Sequence, residues 1–334
     1  MKSTRTGLPS RRIVLAGLTA SVLGGNMRRP AHSQGAYPQK PVRVIVPFPA
    51  GGGGDTLARL MLTKIAVGLG QPFVFDNVGG AGGNLGSAQA ARAEPDGHTL
   101  LYATNGTLAI NQTLYSKPGF DPLKDLVPVS RLSEIPLMIV VRQGSPISTA
   151  ADLISQARAR PGQFTFGSAG NGTTSHLAVE MLKSQLGLRM VHIPYRGGAA
   201  SLTGLMAGDL DFMMDITASA MPHVRSGRLK ALAVSTRARL PSLPEVPTLA
   251  ESGAPGFHVT AWDALMVRTG TSSETVATLA KAAHGVLADA DTVSQLAQRG
   301  AVSSPLAGDA LTRFIRAEIE RWGKAVKLSG ATVD

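Results

Sequence analysis

Apolar positions along the chain alternate between short β-branched runs and longer stretches with helical spacing. The run at residues 42–46 lies between prolines, and a glycine-rich loop follows it. Beyond that loop, leucine, isoleucine and methionine recur at helical spacing over residues 57–69. This order predicts one unit of strand, loop and helix.

Comparable units follow along the rest of the chain. Further strands are predicted at residues 73–75, 99–103, 137–141, 164–166, 191–193, 211–216, 229–234 and 257–267. Helices are predicted near residues 85–93 and 149–160, and Thr149 with Asp152 forms a capping pair for the second. The tail, residues 272–328, has a helical pattern almost throughout. Strands separated by helix-length segments predict an α/β fold with parallel sheets covered on both faces.

Composition narrows the class of protein. Of 334 residues, 43% are hydrophobic and 16% are charged, so the chain can bury a large core, and its length suggests about two domains. It has no cysteine, which excludes disulfide scaffolds, zinc–thiolate sites and cysteine nucleophiles. Six of the eleven net positive charges come from residues 1–33, and the other basic residues are scattered singly. We therefore expect no nucleic-acid partner.

Residues 1–33 have the sequence features of a signal peptide. A basic segment precedes the apolar residues 13–23, and Ala-His-Ser at 31–33 fits a cleavage site. The apolar run is too short to span a bilayer, which takes about 20 residues. Residues 10–15 also resemble a twin-arginine motif, so the twin-arginine and ordinary secretory routes both stay open. Either route predicts a periplasmic protein, and without cysteine we expect no lipid anchor.

Two glycine-rich loops carry the most chemical information. We call residues 47–56 the first glycine loop and residues 167–176 the second glycine loop; each lies between a predicted strand and a predicted helix. Glycine lets the backbone approach a ligand, and the free N–H groups that begin a helix attract anions. Either loop alone is equally typical of a structural turn. Together they predict a carboxylate site with one loop from each half of a cleft.

Motifs for other chemistry are incomplete. Neither loop matches G-x-G-x-x-G, residues 80–85 fail it at the last position, and no Walker pattern occurs, so we expect no nucleotide cofactor. Ser168 has Phe166 two residues before it, where a G-x-S-x-G nucleophile elbow needs glycine, and the histidines include no H-E-x-x-H. Asp209 and Asp211 border an apolar strand and do not form a calcium loop. We therefore expect no catalytic residue and no metal site.

Six ordered motifs run from residue 37 to the end of the chain. They are VPFPAGG at 46–52 with Asp55 and Ala58-Arg59, PDGHTLL at 95–101, GSAG at 167–170 with Gly172-Thr173 and His176-Leu177-Ala178, PYRG at 194–197, Gly208-Asp209 with Asp211, and VPTL at 246–249 with Glu251-Ser252-Gly253. In this order they resemble the extracytoplasmic solute receptors of tripartite tricarboxylate transporters, the Bug family.

The resemblance implies a periplasmic binding protein of type II. Its fold is α/β, with two doubly wound domains, two hinge crossings and a ligand cleft between the domains. We expect domain 1 at residues 34–135 plus 259–334 and domain 2 at residues 136–258. The implied function is capture of a small organic carboxylate, without a cofactor, by a monomer that delivers it to membrane transporter subunits.

The resemblance also implies which residues bind the solute. The first glycine loop would contribute Phe48, Pro49, Ala50, Asp55 and Thr56. The second glycine loop would contribute Ser168, Ala169, Gly170, Gly172, Thr173, Thr174 and His176. Tyr195 and Asp215 would contact the distal end of the solute. His176 begins the next helix, within reach of a ligand, although a packed histidine is the commoner case.

Two departures from the family pattern bear on ligand identity. Ala199-Ala200-Ser201 replaces the usual proline, and Asp263-Ala264 stands where the family tends to have glycine. If Asp263 faced the ligand, it would disfavour a second carboxylate and favour a neutral or amino-bearing group. Two other functions stay open. The same fold serves partners of membrane sensor kinases, and a periplasmic enzyme acting on carboxylates would need a catalytic group that the sequence does not offer.

Overall fold

The computed structural model describes residues 37–333, so the signal-peptide prediction lies outside the described residues. Within these residues there are ten strands: β1 Val42–Val46, β2 Phe73–Asn77, β3 Thr99–Thr104, β4 Leu126–Arg142, β5 Thr165–Ser168, β6 Val191–Pro194, β7 Phe212–Ile216, β8 Leu229–Val234, β9 Thr260–Arg268 and β10 Val302–Leu306. The described residues include no helix with the length and apolar character that a membrane span requires.

Helices separate most of these strands. They are α1 Gly53–Leu69, α2 Asn84–Ala91, α3 Asn111–Leu114, α4 Ala150–Ala159, α5 Thr174–Leu186, α6 Gly198–Ala207, α7 Thr217–Arg225, α8 Ser273–Ala288, α9 Ala290–Gln298 and α10 Gly308–Ser329. A 3₁₀ turn at Ala81–Gly83 precedes α2, and a π-helical turn at Gly106–Ile110 precedes α3. The predicted Thr149–Asp152 capping box is present at the start of α4.

The strands pair in two sheets that share β4. The first sheet has the order β2, β1, β3, β9, β4, β10, and the second has the order β6, β5, β7, β4, β8. The first part of β4 pairs with β9, up to Pro136, and its last residues, from Leu137, pair with β7 and β8. The predicted domain boundary at residue 136 falls at this change of partners.

The prediction of wholly parallel sheets was wrong. β1 is parallel to β2 and β3, and β5 is parallel to β6 and β7. However, β9 runs antiparallel to β3 and β4, and β4 runs antiparallel to β7 and β8. The physical reason is that β4 continues from the first sheet into the second without a crossover helix. It therefore enters the second sheet at the end where the parallel strands of that sheet finish.

The helical tail also contains a strand that the pattern did not reveal. β10 interrupts the helices and pairs antiparallel with β4. Its sequence, VSSPL, has few apolar residues and a proline, so the local strand signal is weak. Pairing with β4 stabilises this segment as a strand, which is a contact that local periodicity does not encode.

The core explains why β1 has three successive apolar residues at 44–46. Val44 and Val46 pack in the cluster that contains Met61 of α1, while Ile45 packs on the opposite face against α2. All three valine and isoleucine side chains are fully buried. A strand segment covered on both faces needs apolar residues at successive positions, not at alternate ones.

Candidate ligand site

A cavity of about 630 Å³ lies at the carboxyl ends of β1, β3, β5 and β7. This is the edge at which ligands of open α/β sheets bind. Residues that immediately follow those strands line it, including Phe48, Asn105 and Ala169, together with Asp215 at the end of β7. Both sheets therefore contribute to one cavity.

The first glycine loop presents Phe48 and Pro49 to the cavity. Ala50 and Thr56 are exposed and are not among the lining residues. The Asp55 carboxylate is buried and accepts hydrogen bonds from the Gly51 amide at 2.8 Å, from Asn77 and from Arg59. Burial raises the pKa of Asp55, but these hydrogen bonds outweigh it and hold the pKa below its usual range. Asp55 is not among the lining residues, and it therefore stabilises the loop from the side away from the cavity.

The second glycine loop presents Ala169, Gly172, Thr173 and Thr174 to the cavity. Ser168 and Gly170 do not line it. The fully buried Ser168 hydroxyl lies 2.6 Å from His192 Nε2 and 3.0 Å from the Gly170 carbonyl oxygen. These bonds hold the shape of the loop beneath its exposed backbone.

His176 supports the same loop. Its Nδ1 accepts a hydrogen bond from the Gly172 amide at 3.1 Å, so the ring proton lies on Nε2, on the side of Glu180. The ring is buried and stacks on His192 with centroids 3.7 Å apart. Burial, together with His176 and Lys183 and against Glu180, lowers the pKa of His192 to about 4. His176 thus contacts the loop from below, and it is not among the lining residues.

The two residues predicted at the distal end differ in position. Asp215 lines the cavity, is only 3% exposed, and its Oδ2 has no hydrogen-bond partner. Burial raises the pKa of Asp215 to about 6, against a hydrogen bond from the Ile216 amide. The Tyr195 ring instead packs on α6, where a Cβ on Gly204 would lie 2.5 Å from its hydroxyl. Tyr195 is not among the lining residues.

Charge is sparse in the cavity wall. Among the described residues that line it, Asp215 is the one aspartate, and none is glutamate, lysine, arginine or histidine. The polar groups are otherwise backbone amides, hydroxyls and carboxamides. Within residues 37–333, no group of three or more histidine, aspartate or glutamate side chains is arranged to hold a metal ion.

Among the described residues, five helices that follow a strand or a loop begin at the cavity without a side-chain cap. They are α1, α2, α5, α6 and α7, whose N-cap residues are Gly52, Gly83, Thr173, Gly197 and Ile216. Of the helices that begin elsewhere, α4, α8 and α9 have side-chain caps, and α10 does not. An uncapped helix start leaves first-turn N–H groups available and carries a partial positive charge. The cavity therefore favours an anion although no cationic side chain lines it.

The sequence did not identify a third glycine loop, residues 80–83, as part of the site. Gly80, Gly82 and Gly83 line the cavity. Gly83 has φ +93°, and a Cβ there would lie 2.7 Å from Thr107, so glycine alone fits. Asn111 donates to the Gly82 carbonyl oxygen at 3.0 Å and holds the loop. The available signal was the run Gly-Ala-Gly-Gly at 80–83, which does not complete a phosphate motif but does supply glycine at a close approach of the backbone.

Bonds across the cavity join elements of the two sheets. Asn105, which follows β3, donates a hydrogen bond to the Thr174 hydroxyl at 3.0 Å. Asn171 donates to the Thr332 carbonyl oxygen at 2.8 Å. A Cβ on Gly172 would lie 2.5 Å from Leu114, so this loop packs tightly against α3. The second glycine loop is thereby held against the elements around the first sheet.

Asp263 does not face the cavity. It is fully buried, and its carboxylate accepts hydrogen bonds from the Tyr102 hydroxyl at 2.5 Å and from the Ser133 amide at 2.7 Å. Burial raises the pKa of Asp263 to about 6, against these hydrogen bonds. The condition attached to Asp263 in the sequence analysis is therefore not met. Its neighbour Trp262 does line the cavity.

A glutamate on α10 fixes that tryptophan. Glu318 Oε2 accepts hydrogen bonds from the indole nitrogens of both Trp262 and Trp322, each at 2.8 Å. Arg321 lies 3.4 Å from the other carboxylate oxygen. Both tryptophans are fully buried, so the shared acceptor determines the position of the indole that forms part of the cavity wall.

Comparisons with known proteins agree with this architecture. A family model described as "Tripartite tricarboxylate transporter family receptor" matches residues 57–330. Protein BugT of Bordetella pertussis is 34% identical over 300 residues, which cover 90% of this chain and 92% of BugT. A protein encoded in the tcbD-tcbE intergenic region of Pseudomonas sp. is 36% identical over 95% of this chain and 94% of its own length.

Solved structures are similar over nearly their full length. A Rhodopseudomonas palustris protein solved with adipate has 33% identity and a TM-score of 0.79, covering 89% of this chain and 99% of that one. MatC of the same organism, solved with bound malate, has 34% identity and a TM-score of 0.74, covering 87% and 100%. The periplasmic binding protein BugD has 32% identity and a TM-score of 0.75, covering 89% and 99%. The fold is that of the periplasmic binding proteins.

Proposed function

Because the chain belongs to the family of tripartite tricarboxylate transporter receptors, we propose that it captures a small organic carboxylate in the periplasm and delivers it to membrane transporter subunits. The family is one of solute receptors, not of enzymes. The observation that carries the proposal is the start of α1, α2, α5, α6 and α7 at one cavity without side-chain caps.

The electrostatics of those helix starts suit a carboxylate. Each contributes about half a positive charge, and the cavity has no lysine or arginine side chain among its described lining residues. A carboxylate can accept hydrogen bonds from the backbone of the glycine loops and from the hydroxyl of Thr174, whose proton is not used by the bond from Asn105. The two similar proteins solved with adipate and malate support this ligand class.

We also propose that the cavity lies between two domains that close on the solute, as in other binding proteins with a hinge. The proposed boundaries are residues 34–135 plus 259–334 for one domain and 136–258 for the other. The change of partners along β4 supports them. Bonds from Asn105 and Asn171 across the cavity would stabilise the closed form.

Thermal unfolding of the purified mature protein tests solute capture. The unfolding temperature is measured with each member of a ligand panel that contains mono-, di- and tricarboxylates, amino acids and aromatic acids. A ligand at about 100 times its Kd stabilises by roughly 2.7 kcal/mol, which raises the Tm by several degrees. A selective shift by a carboxylate class supports the proposal. No shift, together with no small molecule released from the denatured protein in mass spectrometry, would contradict it.

Transport requires a separate measurement. Cells that lack this protein should lose uptake of the labelled solute, and expression of the protein should restore it. A strain that lacks the membrane transporter subunits should stay deficient even when the receptor is present. Restored uptake without those subunits would contradict delivery to the transporter.

A further inference from the structure

Asp215 is an unusual component of a cavity built to hold an anion. Its side chain is 3% exposed, it lines the cavity, and its Oδ2 has no hydrogen-bond partner. The Ile216 amide donates to the Asp215 carboxylate, but a buried carboxylate oxygen without a partner is still costly, because the protein replaces its hydration with nothing of equal strength. A bound ligand that supplies a hydrogen-bond donor or a cation to this oxygen would remove that cost.

The neighbours of Asp215 do not supply that partner. Met138 lies beside it on β4, Gly198 begins α6 next to its Oδ2, and Ser219 of α7 lines the same cavity. None of these three titrates. The ionisable groups beneath the second glycine loop, His176 and His192, are engaged with Gly172 and Ser168.

The cavity therefore offers two kinds of group. The helix starts and backbone amides of the glycine loops favour a carboxylate. Asp215, which lies beside the start of α6, offers an acceptor whose ionised form demands a cation or a strong donor. A solute that carries both a carboxylate and an ammonium group matches both features.

We propose that Asp215 selects a solute that carries an ammonium group beside its carboxylate function, so that the cognate ligand is an amino-bearing monocarboxylate. This inference rests on the proposed function, since it assigns the charge pattern of the solute that the receptor captures. The selectivity that sequence analysis considered for Asp263 is thus placed on Asp215, which lines the cavity, whereas Asp263 is enclosed by Tyr102 and Ser133.

The competing arrangement is a dicarboxylate whose second carboxyl group shares a proton with Asp215. Two carboxylates in contact cannot both stay ionised, so this arrangement requires one bound proton. The two arrangements differ in the sign of the pH dependence. An ammonium ligand binds more tightly as Asp215 ionises, above pH about 6, and a dicarboxylate binds more tightly below that pH.

The test uses matched ligands of equal chain length. We would measure the affinity of 4-aminobutanoate, butanoate and succinate by calorimetry at pH 5 and pH 7.5, and then repeat the series with chains of three, five and six carbons and with α-amino acids. We expect one aminocarboxylate to bind more tightly than its matched acid and diacid, and more tightly at pH 7.5 than at pH 5. Asp215→Asn should weaken that ligand by roughly tenfold to a hundredfold.

The control is Asp209→Asn, which removes the same charge from an exposed residue just beyond α6. It should leave affinity unchanged, and circular dichroism should show both variants folded. Tighter dicarboxylate binding at pH 5, retained in Asp215→Asn, would overturn the inference while the proposed function stands. Binding of plain monocarboxylates with no effect of Asp215→Asn would also overturn it. Failure of every carboxylate would instead contradict the proposed function.

Discussion

Asn105 and Thr174 join the two sides of the cavity through one hydrogen bond, from the Asn105 carboxamide to the Thr174 hydroxyl at 3.0 Å. Asn105 follows β3 of the first sheet, and Thr174 begins α5 after β5 of the second. Asn105 is buried, so its donor depends on this acceptor. The bond connects the positions of the two glycine loops to each other.

Thr174→Val should weaken the closed form. Valine keeps the shape of threonine but leaves the buried Asn105 donor unsatisfied, at a cost of about 1–3 kcal/mol. We expect weaker solute binding and a larger radius of gyration for the ligand-free protein in small-angle scattering. Thr203→Val is the matched control, because the Thr203 hydroxyl is exposed and bonds within α6. Equal effects of the two variants would contradict a closing role for Thr174.

Gly172→Ala should disturb the cavity through a steric clash with Leu114. Gly172 has φ +72°, and the added Cβ would lie 2.5 Å from Leu114. We expect a loss of solute affinity of tenfold or more by calorimetry, on the order of 1.4 kcal/mol. Gly187→Ala has a similar φ of +65° but meets no atom within 4 Å. It should cost about 1 kcal/mol of stability from backbone strain and leave affinity intact.

Replacing Glu318 should displace the tryptophan in the cavity wall. Glu318→Ala leaves the indole nitrogens of Trp262 and Trp322 without their shared acceptor, at about 1–3 kcal/mol for each buried donor. We expect a lower urea midpoint, weaker solute binding and a shifted emission spectrum, since these are the two tryptophans of the chain. Glu320→Ala, an exposed change on the same helix, should alter none of the three.

Asp215 should make the protein less stable as the pH rises. Burial raises its pKa to about 6 from an ordinary 3.8, so between those values the folded protein keeps a proton that the unfolded chain has released. Stability from this group is therefore complete below pH about 4 and is lost as the pH rises through about 6. Asp215→Asn should be more stable than the native chain at pH 7.5, by on the order of 2 kcal/mol, and nearly equal at pH 4.

Urea unfolding of both proteins at the two pH values measures this difference. The comparison is made between variants because Asp55, whose pKa is lowered, makes the native chain less stable at low pH. A stability difference that does not change with pH would contradict the prediction. A gain in stability with a loss of binding is the pattern expected of a residue kept for function.

Asp263→Asn should lower the stability of the protein at pH 7.5, whereas Asp215→Asn should raise it. Burial nevertheless raises the pKa of Asp263 to about 6, as it does for Asp215. The Asp263 carboxylate accepts from Tyr102 and Ser133, and an amide nitrogen placed there would face those donors. We expect a loss of stability of about 1–3 kcal/mol at pH 7.5 in the same urea experiment. Equal gains in stability for both variants would contradict the distinct environments of the two aspartates.

The local sequence pattern was sufficient to predict most of the strands and helices. The β1 run, the helical spacing of α1 and the Thr149–Asp152 cap are properties of neighbouring residues, and each is present. Strand direction depends instead on where a strand enters a sheet. For that reason the antiparallel course of β9 was not predicted. The existence of β10 was not predicted because it depends on pairing with β4.

The sequence also predicted only part of the candidate site. Sequence motifs identified both glycine loops, yet they did not separate Thr173, which lines the cavity, from Ser168, which supports the loop from below. That distinction depends on side-chain direction within the folded loop. Asn105 and Trp262 reach the cavity from elements distant in sequence, so only the packing of the two sheets reveals them.

The sharing of β4 has a consequence for how the molecule unfolds. β4 pairs with β9 and β10 in the first sheet and with β7 and β8 in the second, so its loss removes a central strand from both. Melting of one sheet removes the partners of part of β4 and so weakens the other sheet. The described chain should therefore lose both sheets in a single cooperative transition, and a ligand bound at their junction should raise the midpoint of that one transition for every segment of the fold.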